Sequence, residues 1–297
     1  MSKRGRDMSY TIGFLGGGMM AEALIGGITG GLTTTDKIVV SDPVAPRLQY
    51  LQTKFPGVTT TADNQEVVQR ADIIILAVKP QVFTQVAESL AGVKLNSPKM
   101  FVSIMAGVTL DSLVGQIKSS GIEADVIRVM PNTPALVGCG SAAFALPNHG
   151  QLSYEAQNAA KVPYVKSIFT SIGVCEQVAK EELMDAVTGL SGSGPAYVYM
   201  LIEAMADGGV KNGLPRDVAL KLAANTVMGS AKMVMAGVKD EGGFDMLKHP
   251  GVLKNAVESP GGTTIAGTSV LEDKGFRSAV ISAVSAATAR SRELGSK

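Results

Sequence analysis

Two glycine-rich stretches hold the residue types best suited to gripping anions. The first, Gly16-Gly17-Gly18-Met19-Met20-Ala21, directly follows the apolar run Tyr10-Thr11-Ile12-Gly13-Phe14-Leu15. The second, Ser259-Pro260-Gly261-Gly262-Thr263-Thr264, opens a helical stretch that continues from Ile265 to Leu271. Backbone N–H groups at a helix N-terminus lack partners within the helix, and glycine lets a ligand approach them closely. Two such helix starts imply two ligands, one large and phosphorylated and one small. That is the outline of a cofactor-dependent enzyme.

The spacing Gly16-x-Gly18-x-x-Ala21 fits the dinucleotide fingerprint in its alanine-terminated form. Gly16 permits the tight turn, Gly18 lets a pyrophosphate approach, and Ala21 permits close helix–sheet packing; Met19 and Met20 open the helix. The context agrees, with an apolar strand before the loop and a helix after it. A glycine turn used only for packing is the bland alternative.

Asp42, in Ser41-Asp42-Pro43, stands near the distance expected for a carboxylate that bonds the adenosine ribose. In that role it disfavours a 2′-phosphate and favours NADH. Equally, Asp42 initiates a turn ahead of Pro43, or Ser41 and Arg47 help accept a phosphate. Ala77-Val78-Lys79-Pro80 and Ala106-Gly107-Val108 end two further strands, where open α/β sheets bind ligands. Lys79 either reaches the ribose or phosphates or is a solvated loop lysine. Pro131-Asn132-Thr133-Pro134 either holds Asn132 and Thr133 at the crevice edge or is a stiff connector.

The elements that must position these groups follow from the apolar pattern. Strands are predicted at 10–15, 37–41, 72–78, 100–105 and 125–130, with helices near 18–31, 44–55, 80–91 and 109–119. Continuous apolar strands alternating with helices indicate a mostly parallel sheet covered on both faces, a doubly wound α/β arrangement. The runs 141–146 and 173–178 extend that sheet, with a helical crossover at 153–171. After Lys180 strand-like runs cease, and helices are predicted at 180–190, 195–211, 215–237, 250–258, 262–273 and 276–294. The expected division is an α/β domain over residues 1–178 and an all-α domain over residues 179–297.

Composition narrows the class. The 297 residues carry a net charge of +1, so no global field draws nucleic acid or an anionic membrane. No apolar run approaches the length of a membrane helix. The short basic leader Met1–Asp7 has no apolar core behind it and reads as disordered or as a remnant of cloning. Cys139 and Cys175 are isolated, which suits two reduced thiols in a cytoplasmic protein. With aromatic residues at 5% and no Trp, the core must be built from aliphatics, Ala and Met. The apolar excess, 45% of the chain, makes a subunit interface a reasonable expectation.

Two more motifs sharpen the reading. Thr188-Gly189-Leu190-Ser191-Gly192-Ser193-Gly194-Pro195-Ala196-Tyr197 places Pro195 at the first position of a helix. Ala206-Asp207-Gly208-Gly209-Val210-Lys211-Asn212-Gly213-Leu214-Pro215 follows it. Together with Ser259–Thr264, and in this order behind a Gly-x-Gly-x-x-Ala domain, these segments closely resemble pyrroline-5-carboxylate reductase. The resemblance runs from Ile12 to about Leu294.

It implies a Rossmann domain followed by a helical dimerisation domain, a homodimer through those helices, and larger rings such as a decamer. The implied reaction reduces 1-pyrroline-5-carboxylate to L-proline with NADPH or NADH, the last step of proline biosynthesis. Gly261, Gly262 and Thr263 are then expected around the substrate carboxylate, with Val257 and Ser259 lining the pocket. The Thr264 hydroxyl is expected by the ring nitrogen, and Asn64 at the adenosine ribose. Asp42 departs from the family pattern, where a small polar residue commonly precedes the proline; NADH therefore stays open beside the NADPH that the family favours.

Other candidate catalysts are few. His149 sits in a turn-like Pro-Asn-His-Gly, and His249 precedes Pro250 at a helix start. Glu203 and Asp207, one helical turn apart, suit a solvated face. No group has metal-ligand spacing. A hydroxyisobutyrate-type 3-hydroxyacid dehydrogenase would need a lysine such as Lys211 or Lys221 as acid–base. A non-catalytic dinucleotide sensor would leave Ser259–Thr264 without a small ligand.

Overall fold

A computed structural model of the chain describes residues 10–147, 160–239 and 243–295. The leader, the turn bearing His149 and the first part of the 153–171 stretch lie outside the described residues. The chain divides into two compact units: everything up to Ser193 together with Ser285 onwards, and Gly194–Val284.

The first unit is built on an eight-stranded sheet. Its strands are β1 (Ile12–Leu15), β2 (Ile38–Ser41), β3 (Thr59–Thr61), β4 (Ile73–Leu76), β5 (Lys99–Ser103), β6 (Ala124–Met130), β7 (Gly140–Ala145) and β8 (Gly173–Gln177). They lie in the order β3-β2-β1-β4-β5-β6-β7-β8. Pairings from β3 across to β6 are parallel, β7 runs antiparallel to β6, and β8 is parallel to β7. The mostly parallel, doubly wound sheet is thus present, with the last two strands reversed. Strand β3 and the helix after it were not anticipated.

Helices α1 (Met19–Thr29), α2 (Ala45–Lys54), α3 (Asn64–Arg70), α4 (Phe83–Ser89), α5 (Leu110–Ser119) and α6 (Lys161–Thr170) belong to this unit. Successive residues of a strand point to opposite faces, so a strand covered on both sides is apolar throughout. On one face Ile12, Phe14, Ile38, Val40, Ile73 and Ile75 pack with Leu24, Ile25 and Ile28 of α1 and with Phe169 of α6. On the other Leu15, Val39, Ile74 and Phe101 pack with Val67 and Val68 of α3 and with Leu113 and Ile117 of α5. The register pairs Leu15 with Ser41 and with Leu76, and Leu76 with Ser103, so four strands end level along one edge.

The helix expected over 180–190 is instead α7 (Leu183–Val187) running into a π-helical turn, Thr188–Gly192. The amide of Ser193 reaches back to the carbonyl of Thr188 at 2.8 Å, the i to i+5 bond that defines the turn. This turn packs with the sheet: Gly192 leaves no room for a side chain beside Met130.

The second unit holds α8 (Gly194–Lys211), α9 (Arg216–Met235), α10 (Pro250–Val257), α11 (Thr263–Asp273) and the start of α12 (Phe276–Gly295). Small residues bring α8 and α9 close. A methyl group on Gly209 would lie 3.1 Å from that of Ala219, and the buried core here is Ala206, Ala219 and Ala223. Large apolar side chains, among them Met200, Leu222, Met228 and Ile281, are exposed on a single chain. So many exposed large apolar side chains in one unit suit a surface that another chain covers. Among the described residues, no helix is long and apolar enough to cross a membrane.

The two cysteines differ sharply. Cys139 is exposed, whereas Cys175 lies inside β8, where burial pushes its thiol up to about 12. A thiol is reactive only as thiolate. Ellman's reagent at pH 8 is expected to titrate one thiol per native chain, and two after unfolding in guanidinium.

Candidate active site

The level edge of the sheet carries the first glycine loop. Gly16 leaves β1 with φ +97°, and its amide donates to the Ser41 carbonyl at 2.8 Å. A Cβ at this position would sit 2.6 Å from the Ala77 carbonyl oxygen and 2.9 Å from Val78 Cγ1. Only glycine lets the chain turn so close to the end of β4. Gly18 caps α1 without any side-chain bond, and a Cβ there would meet nothing within 4 Å. The first amides of α1, including those of Met19 and Met20, therefore lie outside the helix ladder with no side chain capping them. A pyrophosphate fits this arrangement: bare donors, no side chain before them and the positive end of a helix.

Asp42 does not face outward in this structure. One carboxylate oxygen accepts the Gly17 amide and the other accepts the Val44 amide, each at 2.9 Å. The second bond closes an Asx turn, and the first ties the glycine loop to β2. Both oxygens are used by the backbone, which favours the turn over the ribose contact. Arg47 likewise binds within the loop, donating to the Gly17 and Gly18 carbonyls and pairing with Glu22. Burial raises the Glu22 carboxyl, but bonds from Lys54, Arg47 and Tyr50 outweigh it and leave the group below its usual range.

Ser41 is buried and donates to Asn64 Oδ1 at 2.6 Å; Asn64 in turn donates to Ser89 Oγ at 2.9 Å. The structure thus brings Gly16, Gly18, Met19, Met20, Ser41, Asp42, Asn64, Ala77 and Val78 to one edge. Lys79 and Pro80 follow at once, Lys79 being exposed. Ala106 and Gly107 lie beyond β5, where Gly107 (φ +74°) approaches Leu294.

Asn132 is a strut. Its Oδ1 accepts the Ser141 amide at 2.8 Å, and its Nδ2 donates to the Ser191 carbonyl at 3.0 Å. That amide side chain joins β7 to the π-helical turn. A second strut went unanticipated. Glu181 Oε1 accepts from the Leu110 amide at 2.7 Å and from Arg128 at 2.9 Å, holding the segment after Gly107 from behind. The nearly buried Arg128 needs this partner, because an unpaired charge there would be costly. No local pattern announces a contact between residues so far apart in the chain.

In the second unit, the loop after α10 carries the second glycine motif. Gly261 has φ +69°, and the Gly262 amide donates to the Ser259 carbonyl at 3.0 Å. A Cβ on Gly262 would stand 2.3 Å from Ser259 Oγ, a rotatable hydroxyl that would have to turn aside. Gly262 caps α11 with no side-chain bond, which leaves the first amides, those of Thr263 and Thr264, outside the helix ladder. Thr264 is half-buried; Val257 and Ser259 are exposed.

Other candidates recede. His249 accepts the Gly251 amide on Nδ1 at 3.1 Å and so caps α10. Asp207 pairs with Arg216, and Glu203, Lys211 and Lys221 are exposed. Among the described residues, no three His, Cys, Asp or Glu side chains are grouped to hold a metal ion.

Residues 181–294 match the family described as pyrroline-5-carboxylate reductase dimerisation, and residues 11–107 match NADP oxidoreductase, coenzyme F420-dependent. Over 291 residues, 98% of this chain and 100% of the relative, the sequence is 46% identical to the pyrroline-5-carboxylate reductase of Synechocystis sp.. The chain belongs to the pyrroline-5-carboxylate reductase family. A solved pyrroline-5-carboxylate reductase from Coxiella burnetii superposes with a TM-score of 0.83 at 30% identity, covering 96% of this chain and 98% of that one. One from Plasmodium falciparum, solved with NADP bound, gives 0.77 at 33% identity over 96% and 98%. The likeness spans both units, so the glycine loop and the Ser259–Thr264 loop sit within a pyrroline-5-carboxylate reductase fold.

Because Asp42 braces the loop, Asp42→Ser is expected to weaken both nicotinamide dinucleotides together, by about tenfold, the scale of a lost charge-assisted hydrogen bond. Fluorescence titration with NADPH and with NADH measures this. A gain for NADPH alone would instead put the carboxylate on the ribose.

Proposed function

We propose that this protein reduces 1-pyrroline-5-carboxylate to L-proline with NADPH, completing proline biosynthesis. The observation that carries the reading is the match along nearly the whole chain to a named pyrroline-5-carboxylate reductase at 46% identity. A match confined to the dinucleotide domain would speak for the cofactor and leave the substrate open. Here the helical unit and its Ser259–Thr264 loop are included.

NADPH, when bound, supplies the hydride. The loop Gly16–Gly18 with the first amides of α1 holds its pyrophosphate, and the edge formed by Ser41, Asn64, Ala77, Val78, Lys79, Pro80, Ala106 and Gly107 frames the rest. The substrate is an anion, and a helix start orients it without a charged side chain. Gly261, Gly262 and Thr263 hold the carboxylate, Val257 and Ser259 line the pocket, and Thr264 stands by the ring nitrogen. A cyclic imine accepts hydride readily only once its nitrogen is protonated. A threonine hydroxyl is a weak acid, so Thr264 acts as orienter, or as relay through water, for that proton. Fixing the ring against the hydride donor supplies much of the rate.

The catalytic protein is a homodimer through residues 179–297, with residues 1–178 as the dinucleotide domain. The exposed apolar side chains of the second unit support that assembly. A cytoplasmic location belongs to the same reading and is supported by Cys139 and Cys175 standing as free thiols.

Steady-state kinetics with pyrroline-5-carboxylate and each dinucleotide test the proposal; no turnover with either would refute it. Thr264→Ala should lower kcat by roughly 100-fold, the low end of what a proton-handling group contributes. Affinity for NADPH should stay unchanged. An unaltered kcat would remove Thr264 from the chemistry.

A further inference from the structure

The loop that receives the substrate carboxylate is braced by a side chain outside it. Glu258 directly follows α10, and its carboxylate reaches in two directions. Oε2 accepts from Lys254 Nζ at 2.6 Å, on the last turn of α10, and Oε1 accepts from Thr268 Oγ1 at 2.7 Å, in the second turn of α11. Thr268 Oγ1 also lies 3.1 Å from the Thr264 carbonyl. The carboxylate therefore spans the Ser259–Gly262 loop from one helix to the next and grips the turn of α11 that begins at Thr264.

Helix stability does not account for this glutamate. A lysine four residues before a glutamate is the weaker orientation of such a pair. A carboxylate at a helix C-terminus also opposes the helix dipole. Nor is this an ordinary solvated ion pair of small worth, since the Glu258 side chain is only 10% exposed. Its bonds to Lys254 and then Thr268 hold it below the usual carboxylate range, with Arg277 adding to the positive field. A charged group withdrawn from water here needs a structural return, and the bond to Thr268 supplies it.

We propose that Glu258 is a positioning residue for substrate binding, one that fixes the direction of the Thr263 and Thr264 amides by clasping α10 to α11. The loop it spans contains two glycines, one with φ +69°, and so is the part of the site with the most freedom to lose. Restraining it before the ligand arrives reduces what binding must offset. The restraint acts alike on bound substrate and on the transition state. Its loss should therefore raise KM and leave kcat near its original value.

This inference rests on the proposed reduction of pyrroline-5-carboxylate, and the test separates the two. Glu258→Ala and Thr268→Val are each expected to raise KM for pyrroline-5-carboxylate by about tenfold, the scale of one charge-assisted hydrogen bond. KM for NADPH should not move. The double variant should add little to either single one, and Glu258→Gln, which keeps an acceptor for Thr268, should recover much of the loss. Hydrogen exchange of the 259–265 amides reads the brace without any reaction, and it should quicken in Glu258→Ala and Thr268→Val. Unchanged exchange with unchanged KM overturns the role of Glu258, as does an equal rise in both KM values. A wild-type protein without turnover would sink the functional reading, while the exchange result would still decide whether the brace exists.

Discussion

The cofactor edge depends on one close approach, that of Gly16 to the end of β4. A side chain at this position would collide with the Ala77 carbonyl and with Val78. Bare backbone is therefore what allows β1 and β4 to stay paired to their last residues and lets the chain then turn into α1. The turn delivers the next two residues to their tasks. Gly17 gives its amide to Asp42, and Gly18 leaves the start of α1 open. The tight turn into α1 and a well-paired sheet are consequences of the same missing methyl group.

Around that edge, polar side chains mostly serve the backbone. Asp42, Arg47 and Asn132 spend their bonds on loop amides and carbonyls, and Glu181 anchors the start of α5 through the Leu110 amide. The second unit repeats the arrangement on a smaller scale, where Glu258 spans the Ser259–Gly262 loop. At both loops the helix start is bare peptide, and charged side chains hold those peptides still. Such preorganisation is the usual source of electrostatic advantage in an active site.

Much of this was legible in the sequence. Seven strands announced themselves as apolar runs, because a strand buried on both faces cannot hide its composition. Thr59–Thr61 could not, being three polar residues at the sheet margin, and α3 carries only Val67 and Val68 as buried apolar side chains in seven residues. The reversal of β7 was equally silent, since alternation along a strand reads the same in either direction. The π-helical turn interrupts a stretch that periodicity makes continuous. At the site, the spacing of Gly16, Gly18 and Ala21 identified the loop. The duty of Asp42 stayed ambiguous until its two oxygens could be traced. Glu181 and Glu258 escaped notice because their partners lie across a fold or across a turn.

The sheet margins bear on behaviour that has nothing to do with catalysis. An unpaired strand edge is a template for another chain, and proteins that crowd together during synthesis risk joining there. Here one margin is the three-residue β3, made of threonines, and the other is β8, with Glu176 and Gln177 exposed. The three-residue threonine border makes a poor nucleus for fibrous growth, and at β8 the exposed Val174 is followed, after buried Cys175, by polar Glu176 and Gln177. The reversed pair β7 and β8 thus closes the sheet with Glu176 and Gln177 at its rim, and the apolar strands β1, β4 and β5 remain interior, out of reach of a neighbouring molecule.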